Sequence, residues 1–419
     1  MKQYDSYKDS GVEWIGEVPS HWEVMKTSLA FHGIGSGTTP STSKKEFYDE
    51  NDGYYWLQTG DLNDGIINET SKKVTKFAIS QCNLKFYPKD SIVIAMYGAT
   101  IGKVGILGIK TATNQACCVL PTNKNMNAKF AFYEFLACKP ALLVSAIGGG
   151  QPNISQDVIR KQKIVIPPLL EQTAIASYLD KKCTEIDKVI SAQQKRIALL
   201  QKLKQSVITH AVTKGLDPNV EMKDSGVEWI GMTPISWKYC RFKDFLKLRT
   251  EASESLTKIG LENIESKSGK FIETGTEFEG NGVAFSTRNI VYGKLRPYLQ
   301  KVWLAEFDGN AVGDFFVFET KKNAIPTFIK YLMLSDGFTK EADGSTVGAK
   351  MPRVSSSFIL TMHYCLPSIE EQQTIVEYLT KRCASLDIAL TKAQHQVELL
   401  QEYKQSLITE VVTGKRKVS

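Results

Sequence analysis

The chain has 419 residues, 42% of them hydrophobic and 23% charged, with a net charge of +7. That length allows two or three domains with sizeable cores, and the composition is ordinary for a soluble globular protein. No stretch approaches the roughly 20 apolar residues of a membrane helix, and the polar Met1–Ser10 segment is unlike a secretory signal, so a cytoplasmic protein with no membrane association is expected.

In chain order, the first distinctive segment is Lys-Asp-Ser-Gly-Val-Glu-Trp-Ile-Gly at 8–16, followed by Pro19 and Trp22. A short apolar strand then leads into a Tyr-Gly turn at 91–98, and another strand is predicted over Gln115–Leu120. A helix is predicted over Phe130–Cys138, and a Gly-rich loop at 148–155 contains Gln151, Pro152 and Asn153. Pro167-Pro168 introduces a long helix over 171–214 that ends at Lys214-Gly215.

The order then repeats. Residues 8–16 recur unchanged at 223–231, an offset of 215, and Pro19 and Trp22 return as Pro234 and Trp237. The strand and Tyr-Gly turn reappear at 289–293, a strand at 314–318, a helix at 328–334 and a proline-containing loop at 348–355. The second long helix, 371–415, matches the first at an offset of 200, so the second unit is 15 residues shorter between its repeated flanks. Ser368 and Glu371 form a Ser-x-x-Glu capping box at its start.

Along the first helix Leu179, Cys183, Ile186, Ile190, Gln193, Ile197 and Leu200 follow alternating spacings of 4 and 3, continued by Val207 and Ala211. Leu379, Cys383, Leu386, Leu390, Ala393, Val397, Leu400, Leu407 and Val411 match them, with breaks at Lys204 and Lys404. This is a coiled-coil seam. Pairing the helices antiparallel would bury both seams and put one globular region at each end; separate docking of each helix on its own domain is the alternative. The expected fold is mixed α+β: two globular α/β domains, 1–170 and 215–370, and two long antiparallel coiled-coil helices, 171–214 and 371–415, with approximate two-fold symmetry.

The net charge gives a weak pointer to an anionic partner. Residues 171–214 carry +4 and residues 371–417 carry +1, leaving +2 for everything else. The candidate groups for DNA are the groove-reading and phosphate-holding side chains on the matched loops. They are Lys103, Gln151 and Asn153 in the first region, and Arg288, Lys294, Arg296, Lys350 and Arg353 with Tyr298 in the second.

Patterns for chemistry fail. Residues 98–103 resemble a P-loop but have three residues between the glycines and Val104 where Ser or Thr would ligate magnesium. The one Pro-Pro, Pro167-Pro168, lacks the polar and aromatic neighbours of an amino-methyltransferase motif, and Asp217, Glu221 and Lys223 suit a nuclease only by spacing. Eight cysteines form no Cys-x-x-Cys pair, and five histidines show no metal-ligand spacing.

The layout resembles the specificity subunits of type I restriction-modification systems over essentially the whole chain. The duplicated 8–22 and 223–237 segments carry the likeness, with the Pro-x-x-x-Glu-Gln starts at Pro167 and Pro367. Gly37-Thr38-Thr39-Pro40-Ser41, Tyr55-Trp56 and Gly60-Asp61-Leu62 are similar to one type of target recognition domain, and residues 292–298 (Tyr-Gly-Lys-Leu-Arg-Pro-Tyr) to a second. The resemblance implies two target recognition domains that each read half of a split site in double-stranded DNA. It implies helices that fix the spacing and dock two methylation subunits, and the helix residues expected to serve are Glu171, Gln172, Leu179, Ile186, Ile197, Leu200, Glu371, Gln372, Leu379, Leu386 and Leu400. S-adenosylmethionine would be bound by those partners, and ATP and magnesium used by restriction subunits, with no cofactor and no catalytic centre in this chain. A coiled-coil scaffold binding other proteins, or an enzyme with an unrecognised site, are the rival readings.

Overall fold

In the computed structural model, residues 3–49, 51–146, 153–252, 257–348 and 350–418 are described. The chain forms two compact units, one of residues 1–192 with 396–419 and the other of residues 193–395. The two long helices run Leu169–Lys214 and Ile369–Val412, 46 and 44 residues. Each contributes one half to each unit.

In the first unit a five-stranded sheet is built around Ile92–Ala95, which pairs antiparallel with Val104–Leu107 on one side and Cys117–Leu120 on the other. The alternation of a strand sorts its side chains between two cores. Ile92 and Ile94 face the large core beside the helices, whereas Val93 and Ala95 face a second cluster with Leu57, Leu62 and Leu107. The same alternation sends Cys118 to the first core and Cys117 to the second, which is why these adjacent thiols are both buried and free. A four-stranded sheet containing Tyr54–Leu57 and Thr111–Thr113 lies beyond.

The second unit repeats the plan with other residues. Ile290–Gly293 lies centrally in an antiparallel four-stranded sheet, with Ile290 and Tyr292 facing the helix-side core and Val291 facing a cluster around Trp303. A three-stranded sheet of Lys258–Ile259, Gly309–Val312 and Gly282–Phe285 completes it.

The repeated flanks fold alike. Tyr7–Asp9 pairs with Glu17–Pro19, and Met222–Asp224 with Met232–Pro234, as two-stranded ribbons. Glu23–Lys26 pairs with Lys163–Ile166, and Lys238–Arg241 with His363–Leu366. These ribbons were not anticipated from the sequence, because each is only three or four residues long.

Within each unit the helices run antiparallel. In the first, Trp22 donates from Nε1 to Glu171 near the start of the central helix and also packs by Gly414 at the end of the C-terminal one. Sixteen residues further along, Asp187 meets Lys404, ten residues back from Gly414, at 2.7 Å. The second unit matches: Glu371 accepts from Trp237 beside Gly215, and Lys204 meets Asp387 at 2.6 Å. The lysines that interrupt the apolar seam are therefore cross-helix ion-pair partners. The seam itself is buried as expected at Leu179, Cys183, Ile186 and Ile190, and at Leu379, Cys383, Leu386 and Ala393; Ile197, Leu200 and Leu400 are half-buried.

The helix expected at Phe130–Cys138 extends over Ala128–Val144, through Pro140. Proline leaves the carbonyl four residues earlier without its donor. Here that carbonyl, on Leu136, accepts a 3.1 Å bond from Gln405 Nε2 of the C-terminal helix. Its counterpart Gln205 reaches the Leu334 carbonyl at 2.5 Å, where the equivalent helix breaks into Pro326–Met333 and Asp336–Gly344.

Candidate nucleic-acid interface

The helix starts are built from the Glu-Gln pairs. Gln172, 1% exposed, donates to the carbonyls of Pro167 and Asn125 and accepts from the Asn127 amide. Gln372, fully buried, does the same with Pro367, Asn323 and Ile325. Their amides satisfy three backbone groups each, so they hold the fold and leave nothing for a partner to touch. Ser368 caps its helix by accepting from the Glu371 amide, but Glu371 does not complete the expected capping box, because its carboxylate is turned to Trp237.

In the first unit Lys103 and Asn153 converge on one strand end. Tyr97 bridges to Asn153, and the Ile154 amide donates to Met96. Lys103 follows a tight turn in which Gly98 and Gly102 have φ of +84° and +75°, values that favour glycine. The amides of Ile101, Gly102 and Lys103 donate to Gly98, Ala95 and Thr100, so these three amides are used within the turn. Asn153 is exposed and Lys103 half-buried. Gln151 and the glycines at 148–150 lie outside the described residues.

The matched site in the second unit has Leu295 bridging to Arg353 and the Val354 amide donating to Lys294. The same backbone position thus presents asparagine in one unit and arginine in the other. Arg353 makes two bonds to the Asp314 carboxylate, 3.0 and 2.9 Å, and Lys294 approaches it at 3.6 Å while lying over the Phe316 ring. The Arg353 hydrogen bonds hold the Asp314 carboxyl below its ordinary pKa. Lys294 and Arg353 are therefore partly neutralised within the chain and brace the loop.

Arg288 does not join them. It sits in the turn before the Ile290–Gly293 strand, whereas Lys294 follows that strand, six residues or roughly 20 Å away in extended chain. Arg296, Tyr298 and Lys350 are exposed, and the Arg296 amide ties its loop to Pro352, two residues beyond Lys350. Arg296 is held with φ +52°, its amide donating to Pro352 and its carbonyl accepting from Leu299. A left-handed conformation at a non-glycine residue costs of order 1 kcal/mol and persists because both backbone groups are pinned.

Lys350 lies on a hairpin closed by reciprocal Val347–Arg353 bonds of 3.1 and 3.2 Å, with Val347 81% and Met351 46% exposed. These two apolar residues, and the Asp314 counter-ion, escaped sequence reasoning. So did three lysines over aromatic rings in the first unit: Lys72 on Tyr48, Lys73 on Tyr55 and Lys110 on Phe86. Only a three-dimensional neighbour relation identifies them.

The resulting surface offers one strand-end loop cluster per unit, on a shared scaffold, with different polar and cationic groups. Among the described residues no group of His, Cys, Asp and Glu suited to a metal ion occurs, and no helix is long and apolar enough to cross a membrane.

Comparison with known proteins gives a consistent answer. The family described as type I restriction modification DNA specificity domain matches residues 19–198. The type I restriction enzyme MjaVIII specificity subunit of Methanocaldococcus jannaschii is 26% identical over 96% of this chain and 94% of its own length. The EcoDI specificity subunit of Escherichia coli is 23% identical over 64% of this chain and 65% of its own. Among solved structures, a chain from a study of complex assembly and conformational transition in a type I R-M system superposes with a TM-score of 0.68, at 13% identity, over 94% of this chain and 98% of that one. The HsdS subunit from Thermoanaerobacter tengcongensis gives 0.50, also at 13% identity, over 95% and 98%. Their folds agree with the mixed α/β units and long helices described above. Residues 19–198 thus match the type I restriction modification DNA specificity domain, and the chain as a whole is similar to type I restriction enzyme specificity subunits.

Proposed function

We propose that the chain reads a bipartite, asymmetric target in double-stranded DNA, one half-site per unit, and assembles two methylation subunits and restriction subunits on it. As a specificity subunit it is non-catalytic. S-adenosylmethionine, ATP and magnesium act in the partner subunits under this reading. One observation carries it: two scaffolds with the same helix staples, ribbons and strand-end bridges present unlike side chains at equivalent places, Asn153 against Arg353. Equivalent scaffolds give both readers the same way of meeting a duplex; unlike loops give them different sequences to recognise. Long helices of constant length suit a fixed half-site separation, since each added base pair both translates and rotates one half relative to the other.

The test is co-expression with the methylation subunit in a host lacking other adenine methylation, followed by genome-wide mapping of methylated adenines. A split motif with two unlike specified halves and a constant unspecified gap is expected. A continuous motif, or a palindromic one, would contradict the proposal.

A further inference from the structure

Three side chains meet at the strand-end site of the second unit, and each has an identifiable counterpart in the first. The Met96 amide donates to the Ala116 carbonyl at 2.8 Å, and the Lys294 amide to the Asp314 carbonyl at 2.9 Å. The Ile154 amide donates to the Met96 carbonyl at 2.8 Å, and the Val354 amide to the Lys294 carbonyl at 3.1 Å. Met96, Ala116 and Asn153 therefore stand where Lys294, Asp314 and Arg353 stand. Met96 and Ala116 are buried and uncharged, yet the same backbone bonds form. This arrangement closes without ion pairs, so the Asp314 carboxylate has its further effect on the side chains around it.

Asp314 is half-buried and meets one edge of the Arg353 guanidinium: Nε donates to Oδ1 at 3.0 Å and Nη2 to Oδ2 at 2.9 Å. The backbone of Arg353 is fixed as well, since its amide donates to Val347 and its carbonyl accepts from Val347. A guanidinium carries five N–H donors in a rigid fork. The outer edge, formed by Nη1 and the second Nη2 hydrogen, takes no part in the Asp314 pair, and the side chain is 44% exposed. Lys294 approaches the same carboxylate at 3.6 Å, so two cations and one anion leave the group at +1. Pairing with a carboxylate weakens a phosphate contact, because the two anions repel. A fixed fork suits two acceptors side by side. In the major groove guanine presents such a pair, O6 and N7, whereas adenine sets a donor beside its N7, and cytosine and thymine offer no second acceptor.

We infer that Arg353 reads a guanine in the half-site of the second unit through that outer edge, and that Asp314 is the positioning residue that sets its direction. This rests on the functional reading above, under which the second unit meets a duplex. Asn153, with one amide donor group and one acceptor, does not match the guanine edge, so the two units differ in what they read at this place.

The test uses the full chain assembled with the methylation subunit in a host lacking other adenine methylation. Methylated adenines are mapped for the natural chain, Arg353→Ala and Asp314→Asn. Arg353→Ala should turn one guanine–cytosine pair of one half-site into an unspecified position and leave the other half and the gap as they were. Binding of the purified complexes to duplexes with that pair, or with adenine–thymine in its place, gives a discrimination ratio. The natural complex should discriminate by about tenfold to a hundredfold, and Arg353→Ala not at all. Asp314→Asn keeps the arginine, so it should keep the guanine preference with a ratio lowered several-fold, and Asp314→Glu should recover part of it. Thermal melting controls for folding: a merely structural Asp314 would lower melting and leave the ratio unchanged. An unaltered motif for Arg353→Ala, or a widened position that is not guanine–cytosine, would overturn the guanine assignment. An unchanged ratio for Asp314→Asn would overturn the positioning role. A natural complex without a split motif would overturn the functional reading, and this inference with it.

Discussion

Glu134 offers a sharp test of how the first unit is held together. It lies on the Ala128–Val144 helix with 1% exposure; Oε1 accepts from the Val165 amide at 3.0 Å, and Oε2 is buried with no partner among the described residues. Burial pushes its pKa up to about 8 from an ordinary 4.5. The folded state therefore keeps a proton that the unfolded chain releases, and stability contributed by the protonated form is complete below about pH 4.5 and is lost as pH rises to about 8. A difference of about 3.5 units corresponds to roughly 5 kcal/mol over that window. Glu134→Gln keeps the carbonyl that receives the Val165 amide but cannot ionise. Its new amide hydrogens lack an acceptor, at a cost of about 1–3 kcal/mol. The variant should then be less stable than the natural protein at pH 4.5 and more stable, by roughly 2–4 kcal/mol, at pH 9. Hydrogen exchange of the 128–144 helix at both pH values, with urea unfolding alongside, measures the crossing. Parallel curves for the two proteins across this range would refute the reasoning, because they would mean that Glu134 ionises as readily inside the fold as outside it.

Gln372→Ala removes three bonds and strands buried backbone groups at Ile325, Asn323 and Pro367. It should cost about 3–5 kcal/mol in chemical unfolding of the second unit, with Gln172→Ala doing the same in the first. The Lys404–Asp187 pair is partly exposed, so a double-mutant cycle should give a coupling below about 1 kcal/mol that shrinks as salt rises. Arg296→Ala should lower DNA affinity and reduce the slope of log affinity against log salt by about 1 in titrations of the assembled complex; an unchanged slope would remove Arg296 from the phosphate contacts. Arg288→Ala should leave the contribution of Arg296 and Lys350 intact, since it lies at the other end of the strand.

Much of this architecture is legible in the sequence because it is periodic or repeated. The 4–3 spacing locates the buried seam from Leu179 to Ile190 and from Leu379 to Ala393, and the matching offsets predict two equivalent units. Local chemistry also reads through: Ser368 caps its helix, and Gly215 and Gly414 follow the helix ends with φ of +75° and +76°. What escapes is long-range pairing. Nothing near Pro140 in sequence says that Gln405 supplies the missing donor for Leu136. Nothing near Arg353 says that Asp314, 39 residues earlier, neutralises it. For the same reason Lys294 and Arg353 read as free cations in the sequence but are braced in the fold.

The central claim, one half-site per unit, is tested most directly by exchange. Residues 223–370 are replaced by the equivalent region of another family member, the hybrid is expressed with the same methylation subunit, and methylated adenines are mapped. The account predicts that one half of the motif changes while the other half is kept. A change in both halves, or in neither, would contradict it.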